Sequence, residues 1–411
     1  MVRLPRTTGS ATLLLGAGFG LVAVSGAAIL AAGPRILSHA TFSGVSIAWV
    51  VSVVFGFGVA TPTEQLISRR RNAGDHAHGR SPAYWLAVSA VVTMAGVAVV
   101  VGGTGAGHRY PLLGWSILAV LGWAVVSPRR GELLGCQALS AYAATMVLEG
   151  VCRIALVALA VVWRAPAATI LGISIGLPIL LSAGAAHILL GRRAASPASV
   201  GVAPGFEHVS FVAIALGYQI SLNLPPIVLS WKVSEHDRDF VGAFVVANSW
   251  MRLPTILVGT ITVSALVELS RVLPSGSVAA FRRVMWRSGA ACLAIGVGGG
   301  LVCLVTAHPA TSLLYGSRVR LPSYGFACLA LSTVLAILCS WLSVPLMALR
   351  RSASAAWVWA LGSALVAVTL VALPPDRIVT AGLVLPLIAT TAFLSVAAMR
   401  RFRSWAEETQ R

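Results

Sequence analysis

The chain has 411 residues, of which 57% are hydrophobic and only 10% are charged. Soluble domains carry about one quarter charged residues, so this composition excludes a soluble protein. The formal net charge of +18 does not indicate a nucleic-acid partner, because the basic residues are scattered as pairs and triplets between apolar runs.

Long apolar runs recur along the whole chain, and a helix of about eighteen or more such residues crosses the roughly 30 Å hydrocarbon core of a bilayer. The first run is too long for the apolar core of a signal peptide and is predicted to be an uncleaved span. Breaks at Arg, Pro and Gly clusters define twelve predicted spans: 9–32, 42–67, 83–103, 112–127, 137–163, 167–190, 208–231, 240–268, 288–307, 322–349, 355–373 and 378–399.

The charges of the connections test this count, because cytoplasmic loops are enriched in Arg and Lys. With the N-terminus inside, twenty basic residues lie on the cytoplasmic side and eight on the opposite side. Both termini are therefore predicted to be cytoplasmic. The connection Gly191 to Glu207 follows the sixth span, as a linker between two six-helix halves would, which predicts domains of residues 1–195 and 196–411.

An ionisable side chain within the bilayer is costly unless it is paired or hydrated, so each is a candidate for function. Glu149 and Arg153 are four residues apart in the fifth span and share a helix face, where they can neutralise each other. They form either a structural ion pair or part of a substrate or ion path. Glu64 lies near the inner end of the second span, where an interfacial pair with Arg69 is the simpler interpretation.

The eighth span places Arg252 near its middle, with Asn248 one turn earlier and Pro254 two residues later. A proline at that depth frees backbone carbonyls, and an arginine there needs an anionic partner or water. Arg252 therefore either faces a polar cavity or pairs with a neighbouring helix end.

The seventh span carries polar and helix-breaking residues together, namely Gln219, Asn223 and the pair Pro225-Pro226. Interrupted helices occur near transporter binding sites, but a proline kink that only improves packing fits equally well. Gly16 with Gly20 and Gly172 with Gly176 have the spacing that lets two membrane helices approach closely.

Catalytic chemistry finds little support in the sequence. No GxxxxGK[ST] motif is present, so ATP-driven transport by this chain alone is not expected. The triplet Asp237-Arg238-Asp239 could hold a metal in a membrane glycosyltransferase, but short solvated loops commonly have such sequences. The six cysteines lie in apolar runs without a CxxC motif, so no metal centre is predicted. The chain is expected not to be an enzyme and to need no cofactor.

Several short segments together carry a family resemblance: Phe55-Gly56-Phe57-Gly58 with Pro62, Glu64-Gln65 and Ser68-Arg69-Arg70; Arg130-Gly131-Glu132; Tyr142, Glu149-Gly150 and Arg153; Arg252-Leu253-Pro254; and Leu314-Tyr315-Gly316. Through them, nearly the whole chain resembles the polysaccharide-biosynthesis flippases of the O-antigen-transporter type. Their superfamily also holds the MATE antiporters and the lipid II flippases.

This resemblance implies an all-α polytopic membrane protein, with two six-helix bundles around a central cavity. It implies that a polyprenyl-pyrophosphate-linked oligosaccharide moves from the inner to the outer leaflet of the cytoplasmic membrane by alternating access. Arg252 and Arg153 would then bind the anionic headgroup, while Glu149 could couple a proton or balance charge. Expected partners are membrane lipid, the lipid-linked oligosaccharide, and glycosyltransferases or a polymerase of the same pathway; a proton or sodium gradient is the expected energy source.

Three alternatives stay open, one of which is a non-transporting scaffold of a cell-envelope complex, since a degenerate flippase would have much the same sequence. A MATE-like drug or metabolite antiporter should carry acidic groups deep in its first or seventh helix, and neither span has one at mid-depth. An integral membrane glycosyltransferase or polymerase would need a large outer loop with acidic or Arg and His clusters. The predicted outer loops are short.

Overall fold

The computed structural model describes residues 9–73, 109–136, 138–191, 206–233, 238–315, 321–349, 351–378 and 381–410. These residues are almost entirely helical. The helices are α1 Gly9–Ile36, α2 His39–Phe55, α3 Thr61–Ala73, α4 Arg109–Gly135, α5 Leu139–Val162, α6 Ala167–Gly191, α7 Phe206–Lys232, α8 Arg238–Met251, α9 Leu253–Val272, α10 Val278–Val305, α11 Ala307–Tyr315, α12 Ser323–Ala348, α13 Ser352–Ala372, α14 Pro375–Ile378 and α15 Ala381–Gln410.

Within these residues, nine helices are long and apolar enough to cross a membrane, and the bent pair Phe240–Met251 and Leu253–Leu266 makes a tenth if it counts as one span. The continuous stretch Thr41–Ser68 is one of the nine and joins α2 to α3 through a π-helical turn at Gly56–Ala60. Large apolar side chains such as Val162, Val305 and Trp286 are more than half exposed. Lipid is the solvent that suits such a surface, so the chain is an all-α, multi-pass membrane protein.

Eleven of the twelve predicted spans fall on described helices. The fourth lies on α4, which is not among the nine helices that are long and apolar enough to cross a membrane. The third, 83–103, lies outside the described residues. The predicted break at Arg164-Ala165-Pro166 is confirmed, because α5 ends at Val162 and α6 begins at Ala167. The expected interruption at Pro225-Pro226 is wrong: α7 runs through both prolines without a break.

The chain divides into two compact units, Met1–His208 and Val209–Arg411. In the first unit, α4 packs against α6, and a Cβ atom on Gly176 would lie 2.6 Å from the backbone nitrogen of Ala119. A Cβ on Gly172 would overlap the Trp115 ring at 2.1 Å. The predicted close approach is therefore confirmed at Gly172 and Gly176, whereas a Cβ on Gly20 would meet no described atom within 4 Å.

In the second unit, α12 packs against α10 and α15, and α13 packs against α15. Trp359 of α13 is fully buried, and its indole nitrogen donates to the Ser343 hydroxyl at 2.9 Å. At another point of this unit, Phe281 of α10 contacts Phe402 and Trp405 of α15, with ring centroids 5.4 and 5.0 Å away. These contacts join α13 to α12 and α10 to α15.

Candidate functional sites

The first unit contains a buried cluster of charged side chains centred on Glu149. One Glu149 oxygen accepts from Arg153 Nη2 at 2.8 Å, and the other accepts from Arg130 Nη2 at 2.8 Å. All three side chains are at most 2% exposed. The predicted Glu149–Arg153 pair is therefore confirmed, but it is part of a triad in which one carboxylate binds two guanidinium groups.

Both arginines of the triad are also hydrogen-bonded to uncharged groups. Arg153 donates from Nη1 to the Ser25 hydroxyl at 3.0 Å and from Nε to the Ser174 carbonyl at 3.2 Å. Arg130 donates from Nε to Thr145 at 3.1 Å and from Nη2 to Ser182 at 3.2 Å. Buried charges are tolerated when their donors find partners in this way, so the triad ties α1, α4, α5 and α6 together.

Two tryptophans complete the surroundings of the triad. The Arg153 guanidinium carbon lies 5.5 Å from the centre of the Trp49 ring, and that of Arg130 lies 6.0 Å from Trp123. At this distance the negative face of an aromatic ring attracts a cation. The two positive charges are thus stabilised by ring faces as well as by Glu149.

Arg130 is the functional candidate that the sequence interpretation missed. The predicted spans 112–127 and 137–163 leave Arg129 and Arg130 in a cytoplasmic connection. In the structure, α4 continues through Pro128 to Gly135, and Arg130 is only 1% exposed. The shortness of the fourth predicted span was the available signal. Extending that helix by one turn would have placed Arg130 inside it.

Glu64 is 3% exposed, so its carboxyl is buried within the first unit. It accepts a hydrogen bond from the Tyr142 hydroxyl at 3.1 Å and follows the π-helical turn Gly56–Ala60. Such turns are frequent at functional sites in membrane and soluble helices alike. The side chain of Arg69, its expected partner, lies outside the described residues.

The second unit holds a different kind of buried cation. The helix breaks at Arg252, between α8 and α9, with a bend of 40°. Arg252 is 8% exposed and donates from Nε to Asn248 at 3.2 Å and from Nη1 to Thr333 at 2.8 Å. Its Nη2 atom is buried without a hydrogen-bond partner.

No carboxylate within the described part of the chain forms an ion pair with Arg252. The structure therefore interrupts the eighth predicted span near Pro254, and Arg252 lies at the N-terminus of α9, where backbone N–H groups and the helix dipole also favour an anion. An unpaired guanidinium in this setting is suited to binding phosphate or carboxylate oxygens.

The remaining polar candidates lie on α7 and α8. Asn223 and Gln219 are half-buried and bonded to each other, since Asn223 Nδ2 donates to Gln219 Oε1 at 2.9 Å. Asn248 donates to the Leu222 carbonyl at 3.3 Å, which links α8 to α7 beside Arg252. Asn248 therefore belongs to the Arg252 site, and Gln219 and Asn223 form a separate amide pair on α7.

Among the described residues, no group of three or more His, Cys, Asp or Glu side chains could hold a metal ion. Asp237 of the Asp237-Arg238-Asp239 triplet lies outside those residues. The chemistry that the two sites support is electrostatic: charge neutralisation in the first unit and anion binding in the second.

Comparisons with solved structures identify the architecture. The chain is similar to a multidrug-resistance MATE family transporter of the MOP superfamily in its inward-facing conformation, with a TM-score of 0.68 and 12% identity over 94% of this chain and 95% of the other. The fold is that of the MATE transporters.

Two further structures agree. A eukaryotic MATE transporter gives a TM-score of 0.59 and 12% identity over 97% of this chain and 100% of its own. A MOP superfamily transporter from Pyrococcus furiosus, described as having a binding pocket of reverse polarity, gives a TM-score of 0.60 and 13% identity over 99% of both chains. Neither a family model nor a curated protein matches the sequence.

Proposed function

We propose that this protein is an alternating-access transporter of the cytoplasmic membrane. Its proposed substrate is a polyprenyl-pyrophosphate-linked oligosaccharide, which it moves from the inner to the outer leaflet for cell-envelope or extracellular polysaccharide synthesis. The similarity to MATE transporters supports the transport mechanism, and the chemistry of the buried polar groups supports the substrate class.

The observation that carries this proposal is the unpaired guanidinium of Arg252. A buried cation with no acidic partner among the described residues and a free Nη2 atom destabilises a protein, unless a ligand supplies the missing charge. A diphosphate supplies it. Drug cations, which many multidrug transporters export, would be repelled by the same group.

The amide side chains of α7 and α8 fit the glycan part of such a substrate. Asn248 lies one turn from Arg252, and Gln219 and Asn223 lie on α7. Amide side chains offer both donors and acceptors, as sugar hydroxyl groups require. We assign the diphosphate to Arg252 and the first sugars to these amides.

Arg153 is the weaker of the two expected headgroup ligands. Its Nε, Nη1 and Nη2 atoms all have protein partners, so it has little capacity left for a phosphate. We assign Arg153 and Glu149 to holding the first unit together. Coupling to a proton or sodium gradient falls to Glu64, because each Glu149 oxygen is occupied by a guanidinium.

The test is an accumulation assay in cells. Depletion of the protein should make lipid-linked oligosaccharide build up in the inner leaflet, and wild type and Arg282→Gln should reverse this. Arg252→Ala should fail to reverse it at normal expression. Unchanged lipid-linked species and unchanged envelope glycans on depletion would contradict the proposal.

A MATE-type antiporter of drugs or metabolites is the second candidate, because the structures compared include multidrug transporters of the same fold. Given the charge of Arg252, its substrates would be organic anions. This second function predicts that depletion of the protein raises the sensitivity of the cells to anionic toxic compounds, without a change in the amount of lipid-linked oligosaccharide. Glycosyl transfer or polymerisation is not proposed, because no observation favours it over transport.

A further inference from the structure

A groove of about 280 Å³ lies on the second unit, between α9 and α10. It is separate from the Arg252 site. One of its walls is α9 and the other is α10, and the lining is part apolar and part charged. The lining residues are Ile261, Ser264, Ala265, Glu268, Val284, Arg287 and Ser288.

The groove holds one acidic and one basic side chain, Glu268 on α9 and Arg287 on α10. Both are exposed, and within the described chain neither forms an ion pair with the other or with another residue. A lone anion in this groove would meet Glu268, and a lone cation would meet Arg287. A ligand that carries one charge of each sign satisfies both.

The residues around the groove are of the types found at the depth of lipid headgroups. The apolar part of α9 ends at Leu266, two residues before Glu268, and Arg287 follows Trp286, whose side chain is 68% exposed. Exposed tryptophans and arginines beside apolar helix ends are typical of the membrane–water interface. One helical turn beyond Ile261 on the same face, Leu257 is 59% exposed and continues an apolar path toward the hydrocarbon core.

We propose that this groove binds one zwitterionic phospholipid with a primary ammonium group, of the phosphatidylethanolamine class. Arg287 binds the phosphate, Glu268 accepts hydrogen bonds from the ammonium group, and Ile261, Ala265 and Val284 contact the start of an acyl chain. An anionic phospholipid without an ammonium group, such as phosphatidylglycerol, loses this fit because it offers no donor of positive charge to Glu268. The site is independent of the proposed transport substrate.

Native mass spectrometry of the full-length protein tests this site directly. The protein is released from micelles containing equal amounts of phosphatidylethanolamine and phosphatidylglycerol with the same acyl chains, and the retained lipids are counted. The wild-type protein should retain phosphatidylethanolamine in preference to phosphatidylglycerol. Arg287→Gln should lower its retention roughly fivefold, the effect of one basic residue near a lipid surface, and Glu268→Gln should abolish the preference over phosphatidylglycerol.

Matched controls are available on the same surface. Arg282 is exposed on α10 but lies on the opposite side of the helix from Val284 and Ser288, and Glu407 is exposed on α15. Arg282→Gln and Glu407→Gln should leave both retention and preference unchanged. Equal or greater retention of phosphatidylglycerol by wild type would overturn the proposal, as would equal losses in Arg282→Gln and Arg287→Gln.

Discussion

At the residue scale, the two units treat buried charge in opposite ways. The first unit surrounds two guanidinium groups with one carboxylate, hydroxyls, carbonyls and ring faces. The second leaves Arg252 with an unsatisfied Nη2 atom. A buried charge whose hydrogen-bonding groups all have partners holds neighbouring helices together. A buried charge that lacks a partner lowers the stability of the protein and indicates a ligand.

Glu149→Gln should destabilise the protein severely, because it leaves Arg130 and Arg153 buried without a carboxylate. Removing one partner from a buried ion pair costs about 3 to 5 kcal/mol. The measurement is the thermal midpoint of the purified protein in detergent. Glu132→Gln is the control, since its pair with Arg129 is 3.6 Å long and partly exposed, and such pairs contribute at most about 1 kcal/mol. Equal midpoints for both variants would refute the structural role of the triad.

Arg252→Ala should show the reverse pattern, with transport lost and stability kept or raised. Removing an unpaired buried cation relieves its desolvation penalty, so the thermal midpoint should not fall. The same preparation should lose at least roughly tenfold in transport, as expected when a charge-assisted bond to the substrate is removed. A fall in midpoint as large as that of Glu149→Gln would mean that Arg252 is structural.

At the element scale, small residues set the distance between α4 and α6. A Cβ atom at Gly176 would meet backbone atoms of α4 that cannot rotate away, whereas one at Gly184 of the same helix would have open space around it. Gly176→Ala should therefore cost about 1 to 3 kcal/mol by forcing the helices apart. Gly184→Ala should be neutral or stabilising by up to about 1 kcal/mol, from helix propensity. Thermal midpoints that rank the two variants in the opposite order would contradict this packing.

Helices were the most predictable elements, and their interruptions were the least. Hydropathy alone predicts where the spans lie, because a helix surrounded by lipid must form all of its backbone hydrogen bonds internally. Prolines gave a mixed result: Pro254 accompanies a break at Arg252, whereas α7 accommodates Pro225 and Pro226 without one. The difference depends on which neighbouring groups satisfy the freed carbonyls, and a single sequence does not contain that information.

The candidate sites were predicted in part. The spacing of Glu149 and Arg153 revealed their pair, and the depth of Arg252 revealed its environment. Arg130 was missed because its location depends on how far α4 continues past Pro128. Arg130 contacts Thr145 and Ser182, which lie 15 and 52 positions away from it in the sequence. Only the tertiary structure brings these residues together.

At the scale of the whole molecule, an even number of spans puts both termini on one side of the membrane. Fusions to the C-terminus test this prediction, since a fluorescent protein folds in the cytoplasm and alkaline phosphatase is active only outside it. We expect a fluorescent fusion and an inactive phosphatase fusion, because basic residues crowd the C-terminal segment. An active phosphatase would place the C-terminus outside and contradict the predicted orientation.

The central claim is that the molecule moves a diphosphate-linked glycolipid by means of an unpaired buried arginine. The most direct measurement uses purified protein in vesicles loaded with a fluorescent polyprenyl-pyrophosphate oligosaccharide, whose exposure is read with an added glycosidase. Wild type should expose the inner-leaflet pool and Arg252→Ala should not, while Arg282→Gln behaves as wild type. Equal exposure with Arg252→Ala, or none with wild type above protein-free vesicles, would contradict the claim.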